Sequence, residues 1–407
     1  MKIALVHDWL TGYRGGERVL LHIAKRFPEA DLFTLFHTPG SVPSAIEDRR
    51  IFTSALDQLP GKTKHYRKWL PLFPLAIRQF DLEGYDLILS TSHAVAKSIR
   101  VPRGIPHLDY CFTPMRYIWD QADAYLGRGP RRWLAAPMVS ALRRFDVHTS
   151  GPESVTRFVA SSTEVANRIR THYGREANVI APPVDASWIA GADEATEDYY
   201  LHVAGFVPYK RDALVIETFR RSNRRLIVVG DGPGRERLEQ RATPNIRFTG
   251  RITDAELAVL YRGCRALIYP QHEDFGLVAV EAQAAGRPVI AFGAGGALDT
   301  IRPYQGEWES ATSWDASSGR GPGPNTPDAH SALDTSQPIQ TSAARDATGI
   351  FFHEATPDSL AMAIERFEKV EAQFDPERIR SWSKKFSPQR FDFAFDQEIA
   401  AVMNASR

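Results

Sequence analysis

Short β-branched or aromatic runs alternate with amphipathic stretches along nearly the whole chain, and the alternation lapses once and then restarts. IALVHDW is followed by the turn TGYRGG and the helical pattern ERVLLHIAKRF; DLFTLFH, DLILSTS, LDYCF, RFVASS and NVIAP read as further strands. A stretch rich in Pro, Ala and acids, over 182–199, has no strong period and reads as a linker. The second series then runs YLHVAGF, DALVIETFRRS, RLIVVG, GRERLEQRA, IRFTG, DAELAVLYRGC, ALIYP, LVAVEAQAA, PVIAF, GIFF and PDSLAMAIERFE. Strands alternating with helices predict parallel sheets covered on both faces. At 407 residues the chain is too long for one ordinary core. The expected fold class is therefore α/β, with two doubly wound, Rossmann-like domains facing each other across a cleft. The first spans 1–183, the linker 184–198 and the second domain 199–380. In such sheets ligands sit outside the carboxyl ends of the strands.

The segment 303–347 breaks the pattern, being dense in Ser, Thr, Pro, Gly and Asp. It has too little apolar surface to offset its ordering entropy, which predicts a disordered surface insertion, with a lid or partner-binding loop as the alternative. The formal net charge of +1 carries no nucleic-acid signal. The two cysteines, Cys111 and Cys264, are too far apart for a disulfide framework and fit a reducing compartment. MKIALVHDW is too short and too soon charged for a signal peptide, and WLPLFPLAI is a short apolar run broken by prolines. A cytoplasmic protein is expected.

Chemistry is concentrated in three glycine-rich turns that follow predicted strands and open helices: TGYRGGE, GDGPGRE and HEDFGL. Unpaired N–H groups and the positive end of the macrodipole make such turns anion sites, although glycine there also serves conformation alone. Neither GDGPGR nor GAGGAL completes a dinucleotide fingerprint, because Arg235 and Leu298 occupy the third glycine position. A dehydrogenase is thereby demoted. The helix LVAVEAQAA is apolar around most of its circumference yet carries Glu281, and Glu273 stands eight positions earlier in the preceding loop. A carboxylate in such a helix needs partners or costs several kcal/mol. Helical side chains lean toward the N-terminus, so both carboxylates can address one ligand whose phosphates rest on the amides of Gly276 and Leu277. Acids near a helix start also complement the dipole, which suits Glu273 and leaves Glu281 unexplained.

EDFGLVAVE resembles the E-x7-E motif of the retaining glycosyltransferases of family 4, which have the GT-B fold. The similarity extends to the GG turn at Gly15 and Gly16, STSHAVAK at 90–97, VPYKR at 207–211, GDGP at 230–233, FTGRI at 248–252 and GAGGALDT. It is strongest toward bacterial mannosyltransferases of polysaccharide and lipid-linked oligosaccharide assembly, which share the VPYKR and TPMRYIWD strings. The resemblance implies that Glu281 binds the donor ribose and that Glu273 contacts the transferred sugar. It places the amides of Phe275, Gly276 and Leu277 around sugar and phosphate. Lys210 would neutralise the diphosphate, Gly16 would touch it, His93 would lie near the reacting centre, and Arg251 and Ile252 would cradle the base. Two positions depart from the pattern: Gly205 stands where many members have arginine, for which Arg211 is the substitute here, and Phe112 stands where relatives often have histidine. The helices over 381–407 are expected to return to the first domain. Fixed cations and helix N-termini suffice to stabilise charge separation as the sugar leaves its phosphate, so no metal and no cofactor is expected, and no D-x-D pair marks a metal site. Asp8 is a cleft-side candidate, more readily structural.

The basic clusters lie in the first half. Residues 61–80 carry Lys62, Lys64, Arg67, Lys68 and Arg78 among Tyr66, Trp69 and Phe73, and 128–133 adds Arg128, Arg131, Arg132 and Trp133. Such segments suit an anionic membrane surface or a lipid diphosphate, or else a solvated basic face. Arg116, Trp119 and Asp120 are acceptor-side candidates. The function expected is hexose transfer, with mannose from GDP-mannose favoured, to a glycan or lipid-diphosphate-sugar acceptor, in the cytoplasm or peripherally at the inner face of the cytoplasmic membrane. A UDP-sugar donor, a sugar-nucleotide epimerase and a non-enzymatic nucleotide-sugar-binding partner subunit are the alternatives.

Overall fold

A computed structural model describes residues 1–62, 66–120, 130–189, 196–207, 210–304 and 346–405. The expected insertion at 303–347 therefore lies outside the described residues except for its flanks, as do Lys64 and Arg128, and the side chains of Arg67, Lys68, Arg131, Arg132 and Trp133. The chain divides into two units, Met1–Pro183 with Pro388–Arg407, and Val184–Ser387.

In the first unit the strands are β1 (Ile3–His7), β2 (Asp31–Thr34), β3 (Ile51–Thr53), β4 (Leu87–Ser92), β5 (His107–Cys111), β6 (Arg157–Ala160) and β7 (Ala177–Val179). They form a parallel sheet ordered β3-β2-β1-β4-β5-β6-β7. The order reverses between β1 and β4, where ligands of such folds gather. The helix Gly15–Arg26 buries Val19, Leu20, Ile23 and Ala24, one face at helical spacing, against Leu5, Leu32 and Leu89. The helix Pro388–Ala405 seats Phe391, Phe395 and Val402 in the same core. It is pinned at its edge by Arg157 Nε and Asn178 Nδ2, which donate to Glu398 at 2.9 and 2.6 Å.

In the second unit the strands are β8 (Tyr200–Val203), β9 (Leu226–Val229), β10 (Ile246–Gly250), β11 (Leu267–Tyr269), β12 (Val289–Phe292) and β13 (Gly349–Phe352). They run parallel in the order β10-β9-β8-β11-β12-β13, with the reversal between β8 and β11. Both sheets are Rossmann-like, as the alternating pattern predicts.

Two boundaries differ from the sequence reading. The described part of the expected linker belongs to the second unit, since Ile189 is buried beside Leu201 and Leu267, and the Glu197 amide donates to Gly263 O at 2.8 Å. The return to the first unit begins at Pro388 rather than at 381. The helix Pro376–Ser383 stays in the second unit because Ile379 enters its core and Trp382 Nε1 donates to Thr300 O at 2.8 Å.

The first unit's sheet is unusual in burying charge. Central parallel strands ordinarily read as continuous apolar runs, yet Ser90 and Ser92 of β4 both donate to Asp109 of β5, at 2.6 and 2.8 Å. His107 Nε2 faces the same Ser90 hydroxyl at 2.6 Å, and Lys97 pairs with Asp146 at 3.0 Å with both side chains buried. Burial pushes the Asp109 carboxyl up to about 7 against the two serine bonds and Lys97, and burial likewise lowers the His107 imidazole to about 4. Because the native state then holds the Asp109 proton more tightly than the unfolded chain, whose carboxyl titrates at roughly 3.9, its stabilising contribution is full below that value and is lost as pH rises through the native one. Asp109→Asn should therefore lose less stability than the wild type between pH 5 and 8, the difference reaching the order of a few kcal/mol. Urea unfolding at several pH values checks this, and parallel pH slopes for the two proteins would contradict it.

Candidate functional site

In the second unit β11 ends at Tyr269, and the loop Pro270–Gly276 leads into the helix Leu277–Ala284. Gly276 is its N-cap with φ of +101°, and a Cβ there would lie 2.7 Å from Tyr269 Oη, so only glycine fits. The Tyr269 hydroxyl donates to Glu273 Oε2 at 3.0 Å, and Lys210 Nζ lies 3.1 Å from Glu273 Oε1. Both charged side chains retain about a fifth of their exposure. The structure thus brings together Lys210 and Glu273, two residues 63 positions apart in sequence.

Glu281 is 6% exposed and accepts the Tyr261 hydroxyl at 3.0 Å from the helix Asp254–Gly263. Tyr261 is a partner for the carboxylate that its apolar helix demanded. Phe275 is buried and meets Phe386 edge-on. The loop is underpinned by GAGG: the Gly296 amide donates to Glu273 O at 2.8 Å, and a Cβ on Gly296 would fall 2.3 Å from Phe275 Cα. The role of that turn is to carry the backbone of Glu273–Phe275, which its spacing alone did not disclose.

The other loops of this unit meet by close backbone approach. Gly230 has φ of +128°, and a Cβ on it would sit 1.8 Å from Ala204 O, so GDGP stacks on the segment leading to VPYKR. A Cβ on Gly205 would meet Asp231 O at 4.0 Å, an ordinary contact. Arg211, with φ of +57°, donates to Pro270 O at 3.3 Å and lies 4.1 Å from the centre of the Phe292 ring. It braces the end of β11, and burial lowers its guanidinium from the ordinary value. Arg251 has an 85% exposed side chain 3.8 Å from Asp231, and Ile252 packs partly buried at the core margin.

In the first unit the candidates gather at the ends of β1 and β4. Asp8, wholly buried, accepts four amides: Val95 and Ala96 on Oδ1 at 2.7 Å each, His93 and Ala94 on Oδ2 at 2.7 and 2.9 Å. His93 Nδ1 is 3.1 Å from Oδ2, and its ring stands edge-on to Trp9 with centroids 4.4 Å apart. Burial by itself would raise the Asp8 carboxyl, but the charge and hydrogen bonds of His93, with the charge of His7, hold it at about 2. In the first turn of the helix Gly15–Arg26, a Cβ on Gly16 would lie 3.4 Å from Phe112 and 3.8 Å from His7, at ordinary contact distance. Glu17 caps that turn by accepting the Arg14 amide at 2.9 Å and stands 3.9 Å from His7 Nε2. His7, Trp9 and Glu17 escaped the sequence reading; the polar pair HD at a strand end was the available signal.

The acceptor-side candidates are embedded in structure. Trp119 Nε1 donates to the buried Asp146 at 2.8 Å and its ring stacks on His172 at 4.4 Å. Asp120 faces Arg168 at 3.4 Å and His172 at 3.5 Å, which lower its carboxyl, the hydrogen bond from His172 first. Arg116 is partly buried. No helix among the described residues is long and apolar enough to cross a membrane.

Two Rossmann-like units with glycine turns at their reversal points define the GT-B class of fold. The chain matches the family models Glycosyltransferase Family 4 over residues 13–188 and Glycosyl transferases group 1 over 189–320, and it belongs to these glycosyltransferases. It is 30% identical over 102 residues to the O-antigen chain mannosyltransferase C of Escherichia coli, an alignment covering 23% of this chain and 28% of that one. It is 37% identical over 106 residues to a GDP-mannose-dependent alpha-mannosyltransferase of Mycolicibacterium smegmatis, covering 25% and 28%. The matched region thus spans little more than a quarter of these relatives' lengths. Among solved structures, the Anabaena protein Alr3699/HepE in complex with UDP superposes with a TM-score of 0.66 at 15% identity, over 98% of this chain and 100% of that one.

Asp8→Asn leaves one oxygen for four amides and turns an NH2 toward donors. It should lower stability at pH 7 by ~2–4 kcal/mol. The wild-type carboxylate contributes stability above its unfolded value of roughly 3.9 and loses it toward about 2. The gap should narrow over that window in denaturant titrations; equal unfolding midpoints at pH 7 would refute the arrangement.

Proposed function

We propose that this chain is a retaining hexosyltransferase that takes its sugar from a nucleoside diphosphate sugar. The observation that carries the proposal is the Lys210–Glu273–Tyr269 constellation beside a glycine-opened helix that holds Glu281 in its second turn. An incoming diphosphate competes with Glu273 for Lys210. Pairing Lys210 with phosphate releases the Glu273 carboxylate to the sugar hydroxyls, while Glu281 accepts from the ribose. The amides of Phe275, Gly276 and Leu277 and the positive end of the helix add to the field at the phosphate.

As the anomeric carbon–oxygen bond to the diphosphate breaks, its electron pair stays on the phosphate, where Lys210 stabilises it. The acceptor hydroxyl forms the new bond on the same face, and its proton passes to the departing phosphate oxygen. No metal or cofactor enters this scheme. To the first unit the proposal assigns the Gly15–Gly16 turn and His93, whose Nδ1 is oriented by Asp8. Arg251 and Ile252 are assigned to the nucleotide base and Arg211 to the support of Lys210. The identities with mannosyltransferases favour GDP-mannose. The UDP in the structural relative makes a UDP-sugar the second reading.

The acceptor proposed is a glycan or a lipid-diphosphate sugar at the inner face of the cytoplasmic membrane. Supporting this, Leu72 and Leu75 project from the segment Tyr66–Ile77 with 42% and 76% exposure, and the exposed Arg78 follows. Apolar side chains beside basic ones suit an anionic bilayer. Leu75→Asp should reduce sedimentation with anionic vesicles several-fold, and unchanged sedimentation would refute the docking face.

Glu281→Ala should weaken donor binding by ~10- to 100-fold, equivalent to about 1.4–2.8 kcal/mol. Glu273→Ala should lose turnover by at least as much while donor affinity changes little. Calorimetric donor titration with product analysis separates the two; near-wild-type behaviour of both variants would sink the site assignment. Trapping a covalent glycosyl-enzyme would overturn front-face transfer.

A further inference from the structure

His202 and Asp212 belong to no motif singled out in the sequence, yet they lie at the root of the proposed site. His202 is in β8 and wholly buried. Its Nδ1 is 3.0 Å from the carbonyl oxygen of Ile268 in β11, and its Nε2 is 2.9 Å from Asp212 Oδ1. Asp212 is 5% exposed and is the first residue of the helix Asp212–Arg220. A carbonyl oxygen only accepts, and so does an ionised carboxylate. Two acceptors on two ring nitrogens require that the His202–Asp212 pair retain one proton more than a neutral imidazole and a carboxylate would hold. Among the described residues these are the polar groups that meet the ring; on the β9 side its register neighbour is Val228.

The two partners of His202 are the roots of the two sides of the site. Ile268 is followed by Tyr269, which holds Glu273, and by Pro270, whose carbonyl accepts Arg211. Asp212 directly follows Lys210 and Arg211, the latter in the left-handed region with φ of +57°. We infer that the protonated His202–Asp212 pair is a positioning device that fixes the helix start carrying Lys210 against the strand end carrying Glu273, and thereby sets donor affinity. Neither residue touches the donor. The inference rests on the proposed donor-binding role of Lys210 and Glu273.

A buried ion pair is a poor way to gain stability compared with an apolar pair of similar volume, and its gain lies in a fixed register. A purely structural role predicts that an apolar substitute which folds also functions. The test measures GDP and UDP affinity, with donor KM and kcat separately, for the full chain and for His202→Leu, His202→Gln and Asp212→Asn. His202→Leu should weaken nucleoside diphosphate binding and raise donor KM by ~10-fold or more, with acceptor KM unchanged. His202→Gln, whose amide NH2 reaches toward Asp212, should recover most of the loss.

The wild-type imidazole nitrogen spectrum, with the His202 signals assigned by their absence from His202→Gln, should show protons on both ring nitrogens. A folded His202→Leu with unchanged nucleotide affinity and donor KM would overturn the inference, and so would a His202 Nε2 without a proton facing an ionised Asp212. If His202→Leu fails to fold, His202→Gln and the wild-type spectrum decide. A wild type that binds neither nucleotide would refute the donor site itself, and the inference with it. Loss of binding in Glu281→Ala but not in His202→Leu would refute the inference alone.

Discussion

On the proposed reading, the ion pair between Lys210 and Glu273 is the contact on which the second unit's chemistry turns. Two charges 3.1 Å apart, each partly open to solvent, contribute little to stability. Under the proposed function their importance is that the pair is exchangeable: an anion of higher charge displaces the carboxylate from the ammonium at small cost. Much of the surrounding structure holds this contact in place. Tyr269 orients Glu273, GAGG supports its backbone, Arg211 braces the preceding strand end, and the positive φ of Gly276 turns the chain into the helix that carries Glu281.

The first unit uses buried charge differently. Asp8 is surrounded by four amide donors and His93, so its negative charge is satisfied and the loop 93–96 is fixed around it. Asp109, equally buried, is bonded to Ser90 and Ser92, and burial dominates its titration. One carboxyl is held low and the other pushed high within a single sheet. The difference is the number of donors and the nearness of positive charge, in the way burial and hydrogen bonding compete elsewhere.

The alternating pattern made the two parallel sheets legible, because period and length survive in any one sequence. β3 was missed because Ile51–Thr53 is too short to show a period. The helix Pro130–His148 was missed because Pro137 and its mixed charge blur the amphipathic face. Glu281 stood out because a carboxylate in an apolar helix is a local anomaly, and Glu273 and Gly276 stood out by their place in the glycine turn that precedes it. Tyr261 and Tyr269 were not, since tyrosine in an apolar run looks like core until its hydroxyl has a partner. His202 and Asp212 follow the same logic: their significance is in a contact across ten residues and another with the neighbouring strand β11, which no spacing rule announces.

The central claim is that Lys210 receives the diphosphate of a sugar donor. The direct measurement is a calorimetric comparison of nucleoside diphosphate and nucleoside monophosphate of the same base, on the wild type and on Lys210→Met. The account predicts that the wild type prefers the diphosphate by ~10-fold or more, about 1.4 kcal/mol, and that Lys210→Met nearly abolishes the preference while retaining monophosphate binding. A preference that survives intact in Lys210→Met would contradict it.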